Sequence, residues 1–227
     1  MAYEDDEVVE NLKNWWQKNG TTLMFAVAIA LFGFAGWRYW QTTNTEAATQ
    51  AQSLQQQMQI DVQRLSTNPN DKDTLAEVQR LGDQLMKDYS RTPYAQDAAL
   101  LLAKVAVEAN ELPKAITLLK GVIAESDDDA EVALAQSRLA RVQAAKGDFD
   151  DALSTLNNIK EKSLAPVVNE IRGDIFMQQN KVEDAKAAYQ AADAALAERN
   201  ESRPLLELKL ADVGLEPAAR TATDLEH

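Results

Sequence analysis

The sequence predicts an all-α protein: one membrane-crossing helix near the N-terminus, then a solenoid of helix pairs. Three observations predict it. An uncharged apolar run of helical length sits between two groups of tryptophans. Apolar residues after it recur at helical spacing, with few glycines. Three later segments repeat one layout at a near-constant period.

The membrane segment comes first. No charged residue lies between Asn19 and Trp37. Nineteen residues of helix rise about 28 Å, close to the ~30 Å thickness of a bilayer's hydrocarbon. The centre, Leu23 to Phe32, is apolar on every face, whereas a soluble helix shows a polar stripe. All four tryptophans flank the run: Trp15 and Trp16 before it, Trp37 and Trp40 after it, with Arg38 and Tyr39 between the last two. Aromatic rings at both ends are the interfacial belt of a spanning helix, so these six residues are the expected membrane-anchor interface. A buried core helix would explain neither the length nor the double belt. A cleaved signal peptide would need basic residues ahead of it. Here Glu4-Asp5-Asp6-Glu7 precede it and bulky aromatics follow. The segment therefore reads as a retained anchor. Lys13 and Lys18 on one side against Arg38 on the other favour a cytoplasmic N-terminus by the positive-inside rule.

The expected domains are a cytoplasmic tail over 1–19, a transmembrane helix over 20–40, a soluble helical-repeat domain over 41–215 and a disordered tail over 216–227. Leu225-Glu226-His227 reads as the remnant of a purification tag.

In the soluble part, the segment 44–66 places Ala51, Leu54, Met58, Val62 and Leu65 on one helical face. Asn68-Pro69-Asn70-Asp71 ends that helix. A second helix over about 72–89 follows. Pro93 suits the first position of a third, with Thr92 as its cap. Repetition then appears. Ala115, Ala152 and Ala185 hold equivalent places in second helices, 37 and 33 residues apart. A period of about 34 residues is that of tetratricopeptide repeats. The middle unit is the clearest: Gly147 ends one helix, Asp148 caps the next, Phe149 fills the gap, and Ala152 is small where the helices cross. The third unit supplies Gly173, Phe176, Ala185 and Tyr189. The first is degenerate, without a glycine before Pro113. The segment 203–213 reads as a helix capping the solenoid end.

Composition narrows function. The net charge is -13, most of it in the soluble part, which disfavours nucleic-acid binding. There is no cysteine, and His227 is the one histidine. That removes the commonest nucleophile, general-base and soft-metal side chains, and neither a cofactor nor a metal is expected. Asp127-Asp128-Asp129 lacks the spacing of a calcium loop and reads as a helix N-cap. The expected function is that of a non-enzymatic protein–protein interaction module. Its candidate partner groove is lined by the first helix of each pair: Asp97, Leu100, Lys104 and Val107; then Leu134, Ser137 and Arg141; then Val167, Glu170, Asp174 and Met177. Such a mixture suits an extended or partly folded polypeptide. The alternative is a groove filled by the protein's own helices or its C-terminal cap.

Gly36-Trp37-Arg38-Tyr39-Trp40 beside the membrane helix, with Leu139-Ala140-Arg141-Val142-Gln143, Ala152-Leu153, Thr155-Leu156 and Ile171-Arg172-Gly173, resembles the YfgM-like ancillary subunits of the bacterial SecYEG translocon. The resemblance covers nearly the whole chain. It implies a single-pass protein of the bacterial inner membrane with its repeat domain in the periplasm. The implied partners are SecYEG, a PpiD-type periplasmic chaperone and unfolded secretory chains, with emerging chains handed to periplasmic folding factors. A scaffold for envelope protein assembly, with no direct part in secretion, is the alternative.

Overall fold

The computed structural model describes the backbone of residues 2–218. Before residue 45 it describes the side chains only of 13, 15, 16, 18–20, 24–35, 37 and 38. Among the described residues every regular element is helical: α1 (Ala2–Thr67), α2 (Lys72–Asp88), α3 (Pro93–Glu108), α4 (Leu112–Glu125), α5 (Asp129–Lys146), α6 (Phe149–Asn157), a short 3-10 turn (Lys162–Leu164), α7 (Ala165–Gln178), α8 (Val182–Ala197) and α9 (Pro204–Asp212). The expected disordered tail lies, from residue 219 on, outside the described residues.

The chain divides into two compact units, 1–52 and 53–227. The first is helix throughout its described length. The membrane helix and the first helix of the soluble part, expected as separate elements, are one element. The linking Gln41-Thr42-Thr43-Asn44 holds no proline or glycine to break it. The window Lys18–Ala35 is long and apolar enough to cross a membrane, with mean hydropathy 1.3. Phe25, Ile29, Leu31, Phe32 and Phe34 are exposed there, pointing round the helix with no protein cover. Uncovered apolar surface on all sides fits a lipid surround.

The second unit is a stack of helix pairs, α3/α4, α5/α6 and α7/α8, preceded by residues 53–67 of α1 with α2 and closed by α9. Each core cluster joins a pair to the next helix. Ala103, Leu119, Val122, Ala135 and Leu139 unite α3, α4 and α5. Ala140, Ala152, Leu156, Ile171 and Ile175 unite α5, α6 and α7. Ala185, Tyr189, Leu196, Leu206 and Leu210 unite α8 and α9. The core is thus passed from neighbour to neighbour, as in a solenoid.

One turn recurs through the stack. Asn110, Gly147 and Asn180 lie in the left-handed region, at φ of 59°, 92° and 58°. Each sits five residues before the repeat alanine Ala115, Ala152 or Ala185. At each, the next residue's N–H reaches back five positions: Glu111 to Ala106 O at 2.7 Å, Asp148 to Gln143 O and Lys181 to Phe176 O at 2.9 Å. This is the Schellman ending of a helix. Asn200 and Gly214 end α8 and α9 in the same way, with Glu201 donating to Leu196 O at 3.0 Å and Leu215 to Leu210 O at 2.8 Å. The first unit lacks the glycine but keeps the turn, because asparagine tolerates the left-handed region better than other residues with a side chain.

Helix starts follow the expectation in place but not always in chemistry. Asp128 accepts from the N–H groups of Ala130 and Glu131, which makes the acidic run a cap. Thr92 and Asp148 hold N-cap positions but do not cap. The Thr92 hydroxyl donates backward to Tyr89 O at 2.8 Å, and the Asp148 carboxylate accepts from Lys146 Nζ at 2.6 Å. Gly173 is required by packing: a Cβ there would stand 2.3 Å from the Tyr189 ring, so α7 and α8 cross at contact.

Candidate functional site: an open groove and a closed one

The first helices of the first two pairs, with the end of α1, enclose an open pocket of about 600 Å³. Asp97, Leu100, Lys104 and Val107 reach it from α3, and Leu134 and Arg141 from α5, so these expected groove residues meet in one place. Gln55 and Gln59 of α1 add a polar wall, and Leu119 and Val142 an apolar base. Val107 and Leu134 are large apolar side chains that remain exposed.

Two side chains differ from the expectation on α5. Ser137 is buried, its hydroxyl donating to Leu134 O at 2.8 Å. Arg138 takes its place at the pocket. On a helix, both three-residue and four-residue steps from Leu134 stay on its face. The sequence pattern could not choose between 137 and 138; the packing of α5 on its neighbours does.

The charges are unevenly matched. Lys104 Nζ lies 3.7 Å from Glu108, an exposed one-turn pair. Asp97 accepts a hydrogen bond from Gln55 Nε2 at 3.0 Å. Partial burial, then the charge of Glu131, raises its carboxyl above the ordinary value. Arg138 and Arg141 are exposed and have no hydrogen-bond or ion-pair partner among the described residues.

The third-unit candidates do not join this pocket. Val167 packs partly buried against the α5–α6–α7 core, and Met177 is exposed elsewhere. Glu170 is 1% exposed and clasped by the C-terminal cap: Arg203 Nη1 at 2.7 Å and Lys209 Nζ at 2.8 Å. Lys209 also reaches Asp174 at 2.7 Å. The Tyr189 hydroxyl donates to Asp174 at 2.9 Å, and the Lys209 ammonium stands 6.0 Å from the Tyr189 ring centre. Burial first, then Asp174, holds the Tyr189 hydroxyl well above its ordinary pKa. Two carboxylates meet two cations, so the cluster is neutral and α9 is pinned onto α7 and α8. In this unit the protein's own cap occupies the surface.

In the first unit, Trp15, Trp16 and Trp37 are about half exposed, and Arg38 is exposed. Trp16 and Trp37 are 21 residues apart, about 31 Å along a helix, which matches two membrane interfaces. Gly20 lies under the Trp16 ring, which a Cβ would approach to 3.2 Å. The side chains of Tyr39 and Trp40 lie outside those described. Among the described residues no cluster of acidic or histidine side chains could hold a metal ion.

Comparison with known proteins places these features in a family. Residues 13–215 match the tetratricopeptide repeat-like domain model. The ancillary SecYEG translocon subunit of Aggregatibacter actinomycetemcomitans is 33% identical over 85% of this chain and 91% of its own length. The Haemophilus influenzae protein of the same name is 32% identical over the same shares, 85% and 91%. That of Escherichia coli is 29% identical over 83% of this chain and 87% of its own. An apolar N-terminal helix, a tetratricopeptide-like stack and this likeness over most of both lengths agree: the chain belongs to the YfgM family of ancillary SecYEG translocon subunits.

Proposed function

We propose that the protein is a non-enzymatic adaptor tethered to the bacterial inner membrane at the Sec translocon. In this reading residues 1–19 are cytoplasmic, 20–40 span the bilayer, 41–215 form the periplasmic repeat domain and 216–227 a disordered tail. The open groove holds segments of newly translocated chains and helps pass them to periplasmic chaperones of the PpiD type. The observation that carries the reading is the pairing of a translocon-subunit family with an open, part-apolar groove in the stack. A tether favours such a role. Confinement beside a channel raises the local concentration of its products, so contacts too weak to act in solution suffice.

The test is photocrosslinking in native membranes from probes placed at Val107 and Arg141. Translocon components and emerging secretory chains are the expected captures. Capture of only stable envelope assembly proteins supports the scaffold reading instead. Compartment-specific reporters fused at the C-terminus check orientation, and a cytoplasmic signal there sinks the handover role.

A further inference from the structure

We infer that the open groove selects extended polypeptide segments in which a large apolar side chain is followed, within about four residues, by acidic side chains. The inference rests on the reading that this groove holds polypeptide, and it names the sequence character of what is held. Three observations carry it. Leu134, Arg138 and Arg141 form one line along α5, with exposed Val107 of α3 lining the same pocket. The apolar end of that line offers exposed aliphatic surface over a base of Leu119 and Val142. The other end offers two guanidinium groups with no carboxylate partner among the described residues, in a chain of net charge -13 where acids outnumber bases 36 to 23.

That last point separates this groove from the third unit, where Glu170 and Asp174 are matched by Arg203 and Lys209. Acidic side chains are abundant in the chain, and among the described residues none is paired with Arg138 or Arg141. The arginines thus stay open to a carboxylate from elsewhere, which guanidinium binds in bidentate geometry. Seven residues of helix separate Leu134 from Arg141, about 10 Å of rise. An extended chain covers that in about three residues. The spacing therefore asks for an apolar residue and carboxylates two to four positions away. Two cations are too few to hold nucleic acid against this overall charge.

The probe is a labelled ten-residue peptide carrying one leucine with glutamates two and three positions on, both ends blocked. It is titrated against the full-length chain in nanodiscs of zwitterionic lipid. Binding is expected to weaken about five- to tenfold for each of Arg138→Ala and Arg141→Ala, the scale of one exposed charge-assisted hydrogen bond. It is also expected to weaken with rising salt, since exposed charges are screened. Leu134→Ser weakens it as well, whereas Asp97→Asn, which removes a competing negative charge from the wall, leaves it equal or tighter. Both arginines are exposed and unpaired, so their removal leaves the thermal melt unchanged and a folding defect is separable.

Equal binding of a peptide with glutamine in place of glutamate overturns the inference, as does binding that requires a free carboxyl terminus. If probes at Val107 still capture emerging chains while the arginine variants bind the peptide normally, the selectivity is wrong and the adaptor reading stands. If neither peptide nor chain is captured, the adaptor reading itself fails.

Discussion

The second and third helix pairs start from one plan and end in opposite states. Both pairs turn at a left-handed residue, both place an alanine five residues on, and both lead with a helix that offers polar and apolar side chains to one side. In the second, α5 leaves Leu134, Arg138 and Arg141 open. In the third, α7 has its carboxylates taken by Arg203, just ahead of α9, and Lys209 within it. The difference teaches that repeat geometry creates the face and the next helix in the chain decides whether it stays available.

The closed side is the easier to break. Lys209→Met removes the cation shared by Glu170 and Asp174 and leaves a buried carboxylate with one partner. A loss of about 3 kcal/mol is expected, since breaking a buried pair costs more than making one gains. Urea unfolding followed by circular dichroism checks it. A variant as stable as the parent would mean α9 rests on Leu206 and Leu210 alone. Gly173→Ala is next. The added methyl meets the Tyr189 ring, and α7 must shift from α8; about 2 kcal/mol is lost despite alanine's better helix propensity. Thermal melts that show no change would place the close approach elsewhere.

Asn110→Ala sharpens the comparison from the open side. A left-handed alanine costs about 1 kcal/mol, while Asn110→Gly is neutral or stabilising by a few tenths. The same two substitutions at Asn180 should give the same order if the turns are equivalent. The smallest effects come with pH. The Tyr189 pKa is raised on folding, so its contribution is intact below the ordinary tyrosine value near 10 and is lost as pH rises above it. Asp71 has the opposite sign. Hydrogen bonds from Thr74 lower its pKa below 3.8, so its capping contribution holds above the carboxylate range and fades as pH falls through it. Tyr189→Phe and Asp71→Ala should remove the alkaline and acidic inflections from a plot of melting temperature against pH.

Much of the fold was legible in the sequence because helical period, proline placement and a repeated alanine are local signals. The clearest of these signals was Gly147, whose role is visible from its type alone. Asn110 and Asn180 carry the same signal in weaker form. Aligning on the residue five before each alanine, with asparagine accepted beside glycine, finds all three. The apolar N-terminal helix was legible for a similar reason, since length and composition are properties of one segment.

The candidate site was half legible. The α3 residues and Leu134 and Arg141 meet as spaced, but Ser137 and Arg138 exchange roles because a helical face admits either step. The loss of Glu170 and Asp174 to the cap could not be read at all. Lys209 lies 39 residues from Glu170, and nothing in the leucines of α9 states which carboxylates its lysine will find. The cap was expected; its ion pairs are a matter of register between distant helices.

The clasp on Glu170 also has a bearing on turnover. The connection between α8 and α9 runs through Arg199, Asn200, Glu201 and Ser202, all four of them polar and exposed. A protease that cuts there detaches one short helix, yet it strips both cations from a buried carboxylate in the preceding repeat. Damage at the rim is thereby converted into instability one layer in, so a nicked molecule becomes a better substrate for further degradation than an intact one. The latch makes the integrity of the C-terminal end a condition for the survival of the repeat beside it.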